Sequence, residues 1–170
     1  AAGVESDRYD GETGRTSVLV GGLLNLSTLL GNHTRISLNN NYNRSADNEA
    51  RMEEGVDENT ASRVRVERLR YVERVVRSNQ LQVEHQITPS HRTDWSVTSS
   101  GVTRTEPDRS EFVTWLDPAV PTWFNDFEGA VRTFGLLEED GLEASLNHRW
   151  TLGTGLRTHE LRFGANFRKT

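Results

Sequence analysis

Cysteine is absent from the chain, which removes disulfides, thiolate nucleophiles and thiolate metal ligands together. No stretch approaches the roughly 18 to 20 consecutive apolar residues of a spanning helix. That shortage leaves strands as a route across a membrane, since each needs only about 9 to 11 alternating residues. Proline is scarce, and Pro89, Pro107, Pro118 and Pro121 all fall outside the stretches that read as core strands, as ladder hydrogen bonding demands. A basic excess is missing too. With 20 Lys and Arg against 25 Asp and Glu, the net charge is −5, so no global field draws the chain to nucleic acid. The opening AAGVESDRYDGETG has neither a charged start nor an apolar run, so a secretory leader is expected to have been removed or to lie outside this piece.

What is present is apolar alternation. Hydrophobic residues are 34% of 170 and mean hydropathy is −0.68, low for a chain that has to cover a large sheet from both sides. Those residues are nevertheless concentrated in alternating runs, which disordered chains do not show. The clearest is 15–43, which reads as a β-hairpin. Val18, Val20, Gly22, Leu24, Leu26, Thr28 and Leu30 form one row, continued by Thr34, Ile36, Leu38, Asn40 and Tyr42 after Gly31-Asn32-His33. The reverse row carries Asn25, Ser27, Arg35, Ser37, Asn39, Asn41 and Asn43. Side chains alternate across a strand, and both arms keep parity only if the turn has an odd residue count, so a three-residue turn is predicted.

Residues 47–60 are acidic and apolar-poor and suit a solvated loop, without the spacing of a calcium site. Strands follow at 62–87 and 93–104. In the first, Leu81, Val83, His85 and Ile87 alternate with Gln80, Gln82, Glu84 and Gln86, while Val64 and Val66 have the parity opposite to Leu69 and Tyr71. A β-bulge near Glu67 and Arg68 would reconcile them. The rival for this stretch is a basic amphipathic helix bearing Arg63, Arg65, Arg68, Arg70, Arg74 and Arg77. Five β-branched valines and the strict alternation after Asn79 favour the strand.

A long loop is expected over 105–141, holding Phe112, Trp115, Trp123 and Phe124. A loop of that length with its own aromatics reads as folded and functional. The closing hairpin, 142–170, sets Leu142, Ala144, Leu146, His148, Trp150 and Leu152 with Leu161, Phe163, Ala165 and Phe167 on one face. The chain is therefore expected to be all-β, an antiparallel up-and-down sheet of about six strands.

Connections alternate between tight turns and long loops, the pattern of outer-membrane barrels, and Trp95 and Trp150 fall beside short turns where an interfacial aromatic girdle belongs. A soluble β-sandwich shows the same alternation with its apolar faces turned inward, and the apolar rows alone do not choose between the two. The five histidines lack metal-ligand spacing, and no Gly-x-Ser-x-Gly elbow or phosphate loop is present. No catalytic residue, metal or cofactor is assigned, and the chain is not expected to be an enzyme.

GGLLNLSTLLGNHTRISLNNNYNRSADNEAR (Gly21 to Arg51), ERLRYVERVVRSNQLQVEHQI (Glu67 to Ile87) and DWSVTSSGVTRTEPDRSEFVTW (Asp94 to Trp115) resemble the barrel portion of TonB-dependent outer-membrane receptors. The stretch from Val131 to Thr170 is similar to the next part of such a barrel, in the same order. The resemblance covers nearly the whole chain, although barrel strands are a diffuse signal. It implies a bacterial outer-membrane location and a parent barrel of about 22 strands around an N-terminal plug. It also implies uptake of a scarce ligand with energy relayed by TonB. No plug and no TonB box are visible here, so no coupling residue carries over.

About six strands cannot close a barrel, because at least about eight are needed and lipid tolerates no open edge. Either this sequence is a segment of a larger wall, which is the expectation, or extra strands lie in 1–14 and 105–141, or several chains assemble. Arg35, Asn39, Asn41, Glu143, Arg149, Glu160 and Arg162 would face the lumen, and the aromatic loop would meet ligand from outside. The other functions weighed are a small structural or adhesive β-domain presenting its long loops to a protein partner, and nucleic-acid binding by the arginine-rich stretch were it a helix.

Overall fold

The computed structural model describes residues 8–57, 61–117, 119, 121–123, 129–153 and 158–170. It is all-β, with β1 Tyr9–Leu30, β2 Thr34–Asp57, β3 Ser62–Thr88, β4 His91–Trp115, β5 Thr122–Trp123, β6 Ala130–Leu152 and β7 His159–Lys169. All seven belong to one antiparallel up-and-down sheet in the order β1-β2-β3-β4-β6-β7, with the two-residue β5 on β4. The order begins at β1 and ends at β7, so the sheet is not closed into a barrel. The basic helix is not formed: the arginine-rich stretch is the middle of β3.

The strands are longer than the alternation suggested. Residues 47–57, expected in a loop, extend β2. The expected loop 105–141 is largely strand, with β4 running on to Trp115 and β6 starting at Ala130. Charge explains both extensions. The acids of 47–54 pair across the β2/β3 hairpin with the arginines of β3, so a stretch poor in apolar residues is held by its neighbour's charges. Arg65 binds Glu54 at 2.6 Å and Arg74 binds Asp47 at 3.1 Å.

The tight connections follow the residues. The first is the three-residue turn Gly31 to His33, with Gly31 at φ +63°, where a Cβ would be strained. The second turn is confined to Pro89 and Ser90. The closing hairpin has the expected faces, with Ala144 opposite Phe167, Leu146 opposite Ala165, His148 opposite Phe163 and Trp150 opposite Leu161.

Two expectations about register need correction. Between Arg74/Asp47 and Arg65/Glu54 the β2/β3 pairing keeps its parity, so β3 carries no slip at Glu67 and Arg68. The extra residue is in β4, at Pro107. Glu106 lies against Gly135, yet Arg109 donates to Thr133 and the Val113 amide donates to the Gly129 carbonyl, which leaves β4 one residue longer than β6 over that interval. The β3 side agrees: Arg70 reaches Glu106, but Arg68 reaches Glu111 and the Leu116 amide reaches the Arg63 carbonyl. Pro107 thus sits inside a strand, contrary to the reading that placed every proline outside one. A bulge is the position in a central strand where a residue without an N–H costs little.

By contacts the chain divides into two units. One comprises the described part of Ala1–Leu19 with Ser45–Arg74 and Arg104–Leu137; the other comprises the described part of Val20–Arg44, Val75–Thr103 and Glu138–Thr170, and holds both tight turns, at Gly31 and at Pro89. Neither has an ordinary core. Among the described residues only Val64, Val72 and Val83 are buried hydrophobics.

Candidate functional site

In the second unit, side-chain hydrogen bonds identify which residues lie abreast. Ser27 and Ser37 are 3.1 Å apart, Asn39 donates to Gln80 at 3.1 Å, Gln80 donates to Thr98 at 3.2 Å, and Ser96 and Ser145 are 2.8 Å apart. One face therefore carries the row Ser27, Ser37, Gln82, Ser96, Ser145 and Asn166, and beside it the row Asn25, Asn39, Gln80, Thr98, Glu143 and Arg168. Both rows are polar on every strand.

One residue along each strand, the reverse face carries Leu26, Leu38, Leu81, Val97, Ala144 and Phe167 abreast, then Thr28, Ile36, Val83, Trp95, Leu146 and Ala165. Val83 is buried, while the others are partly or largely uncovered, with Leu81 at 37%, Leu26 at 55% and Phe167 at 59% exposure.

The apolar face changes character toward each end. Near the turns, His91 stacks on Trp150 with centroids 5.3 Å apart, and His148 lies 5.0 Å from Phe163. Both ring nitrogens of His148 are engaged, Nδ1 with Thr93 at 2.8 Å and Nε2 with His91 Nδ1 at 3.1 Å. These histidines are thus satisfied members of an amphipathic aromatic layer. Among the described residues no group of three or more potential ligands could hold a metal. At the other end Arg77 pairs with Asp140 at 2.7 Å across Gly101, where a Cβ would stand 2.4 Å from Arg77 Nε. Between this pair and the apolar rows lies a mixed row of Leu24, Asn40, Asn79, Ser99, Leu142 and Lys169.

All seven residues expected to line a lumen occupy the polar face. Asn39 bonds Gln80, Asn41 accepts from Asn43 at 2.8 Å, and Glu143 accepts from Asn166 and Arg168 at 3.2 and 2.7 Å. Glu160 pairs with Arg162, Arg162 stands directly opposite Arg149, and Arg35 is exposed. Most are thus members of hydrogen-bond ladders. Of the loop aromatics, Phe112 and Trp115 belong to β4 and Trp123 to β5. Phe112 meets Trp123 edge-on at 5.4 Å, and Trp115 Nε1 donates to Asp117 at 3.1 Å. Phe124 lies outside the described residues.

The first unit holds a charge network that the sequence reading missed. Asp47 accepts from Ser17 at 2.6 Å, Arg15 at 2.9 Å and Arg74 at 3.1 Å. The Ser17 hydroxyl first, and the Arg15 hydrogen bond next, pull its carboxyl down to about 2. Glu106, only 5% exposed, is held by Arg70 at 3.1 Å and Arg104 at 2.8 Å. Arg132 grips Asp108 with two donors, which lowers that carboxyl and raises the guanidinium. The signal was available: an acidic stretch and an arginine stretch separated by a short connection are complementary when folded antiparallel.

Compared with known proteins, the chain matches no family model and no curated sequence.

Proposed function

We propose that this chain is a wall segment of a transmembrane β-barrel in the bacterial outer membrane, and that the barrel imports a scarce ligand past the polar face. One observation carries the membrane assignment: two lateral rows are almost wholly apolar and, Val83 apart, partly or largely uncovered, while the rows behind them are polar and hydrogen-bonded. A sandwich would need a second layer over the leucines, and every described strand belongs to a single sheet. Depth agrees as well. On β6 the alternation from Leu142 to Leu152 covers roughly 33 Å along the strand, and a tilt of about 45° turns that into roughly 23 Å, against an apolar band of about 25 Å in known barrels. The aromatic layer of His91, Trp150, His148 and Phe163 has the composition of an interfacial girdle. Neighbouring strands from a parent chain would satisfy the outer edges of β1 and β7.

The importer half rests on the resemblance to TonB-dependent receptors. It implies as partners outer-membrane lipid, the rest of the barrel with its plug, and the TonB complex; it assigns no catalysis and no nucleic acid. The decisive experiment is reconstitution of the full-length chain into vesicles with brominated acyl chains. Quenching of tryptophan fluorescence that disappears in a Trp95→Phe/Trp150→Phe variant is the expected result. A protein that stays in solution without detergent, its tryptophans unquenched, overturns the membrane assignment and points to the adhesive β-domain instead. A plug encoded ahead of the barrel in the parent chain supports import, and a parent chain without one refutes it.

A further inference from the structure

Three arginines stand side by side on the polar face near the tight turns. The contact of Thr93 with His148 sets Arg92 opposite Arg149, and Arg149 is directly paired with Arg162. Like charges directly opposite destabilise a sheet, so each needs compensation. Arg92 has it, donating to Glu84 at 2.8 Å and Asp94 at 2.9 Å. Arg162 has Glu160. The central Arg149 is half-buried and makes no hydrogen bond or ion pair among the described residues, leaving five donors unused.

Space is provided on both sides of it. A cavity of about 380 Å³ is lined by Asn147, Arg149, Arg162 and Gly164 together with Asp94, whose charge Arg92 already holds. A second, of about 170 Å³, lies between Gln86, Ser90, Arg92 and Arg149. Gly164 stands opposite Asn147, so β7 contributes no side chain there and the Asn147 amide is the nearest polar group.

We infer that Arg149, flanked by Arg162 and Asn147, binds a small oxyanion, the carboxylate or phosphate group of a solute at the polar face. A guanidinium fork fits either group through two parallel hydrogen bonds, and an anion there cancels the repulsion between Arg149 and Arg162. The site requires only that the polar face meet water, so it stands independently of whether the opposite face meets lipid.

The test is calorimetric titration of the full-length chain in detergent with inorganic phosphate and, in parallel, with citrate. Saturable binding is expected for one or both; tighter phosphate assigns a phosphorylated solute and tighter citrate a carboxylate. Arg149→Gln should weaken binding by roughly ten- to a hundredfold. Arg149→Lys, which keeps the charge but loses the fork, should weaken it by an intermediate factor and supplies the readout if the Gln variant loses its strands. Arg15→Gln, in the other unit, should leave binding unchanged. Failure of both probes to saturate the unaltered chain, or binding by both Arg149 variants as tight as that of the unaltered chain, overturns the site. Retained tryptophan quenching in brominated vesicles would show that such a failure leaves the membrane assignment intact.

Discussion

Leu81 lies in the middle of an apolar row, between Leu38 and Val97, and is 37% exposed. Its neighbour Gln82 lies in a polar row on the reverse face. In water, an arginine at either position would change stability by about 0.5 kcal/mol or less. In a bilayer the two differ sharply. An arginine on the lipid face near the midplane costs about 2–4 kcal/mol, roughly 30- to 900-fold in the folding equilibrium at about 1.36 kcal/mol per decade. Leu81→Arg is therefore expected to lower the stability of the full-length chain by that amount in urea titrations in phosphatidylcholine vesicles. Gln82→Arg should stay within about 0.5 kcal/mol. Equal effects of the two substitutions would refute the assignment of the faces, whatever their common size.

Three further outcomes follow from local geometry. Asp47 is depressed to about 2, below its ordinary unfolded value of about 3.9; its contribution is fully present above that value and is lost as pH falls through about 2. The urea midpoint of the unaltered chain should therefore approach that of Asp47→Asn between about pH 4 and 2. At Gly55 a Cβ would stand 2.6 Å from the Arg8 carbonyl oxygen, a backbone atom that cannot swing aside. Gly55→Ala should cost about 1–3 kcal/mol, read as a lowered thermal midpoint. Pro107→Ala should be tolerated within about 0.5 kcal/mol, because the bulge asks nothing of that amide. Val97→Pro, in the regular part of the same strand, should cost about 1–3 kcal/mol through a ladder bond lost and a carbonyl left unpaired.

Where alternation was strict, the fold was legible. The closing hairpin could be read residue by residue because Leu142 to Leu152 and Leu161 to Phe167 each keep one parity, and that parity is what pairing obeys. The three-residue turn at Gly31 was legible for the same reason. Period-two hydrophobicity is silent where a strand is held by charge. Asp47 to Asp57 and Thr105 to Trp115 therefore read as loops, although their carboxylates meet arginines on β3. The misplaced bulge has a related origin. Val64 and Val72 share the face of Arg68 and Arg70, so the apparent change of parity marked a change in what covers the valines and not in the backbone. At the candidate site, the face of each lumen residue followed from its parity, but the ladders did not. A sequence names the residues of a face, and only the register shows that Arg92, Arg149 and Arg162 come abreast.

Because six strands share common lateral rows, the length of each becomes a quantity with parity. Inserting a single residue between Thr34 and Arg35 would send Ile36 and Leu38 to the arginine side and bring Arg35 and Ser37 to the leucine side. Changes of two residues would move a strand past its neighbours without exchanging its faces. Descendants of this chain are therefore expected to vary in length by even steps within strands, and by odd steps only at the turns or at Pro107, where one unmatched residue is already accommodated.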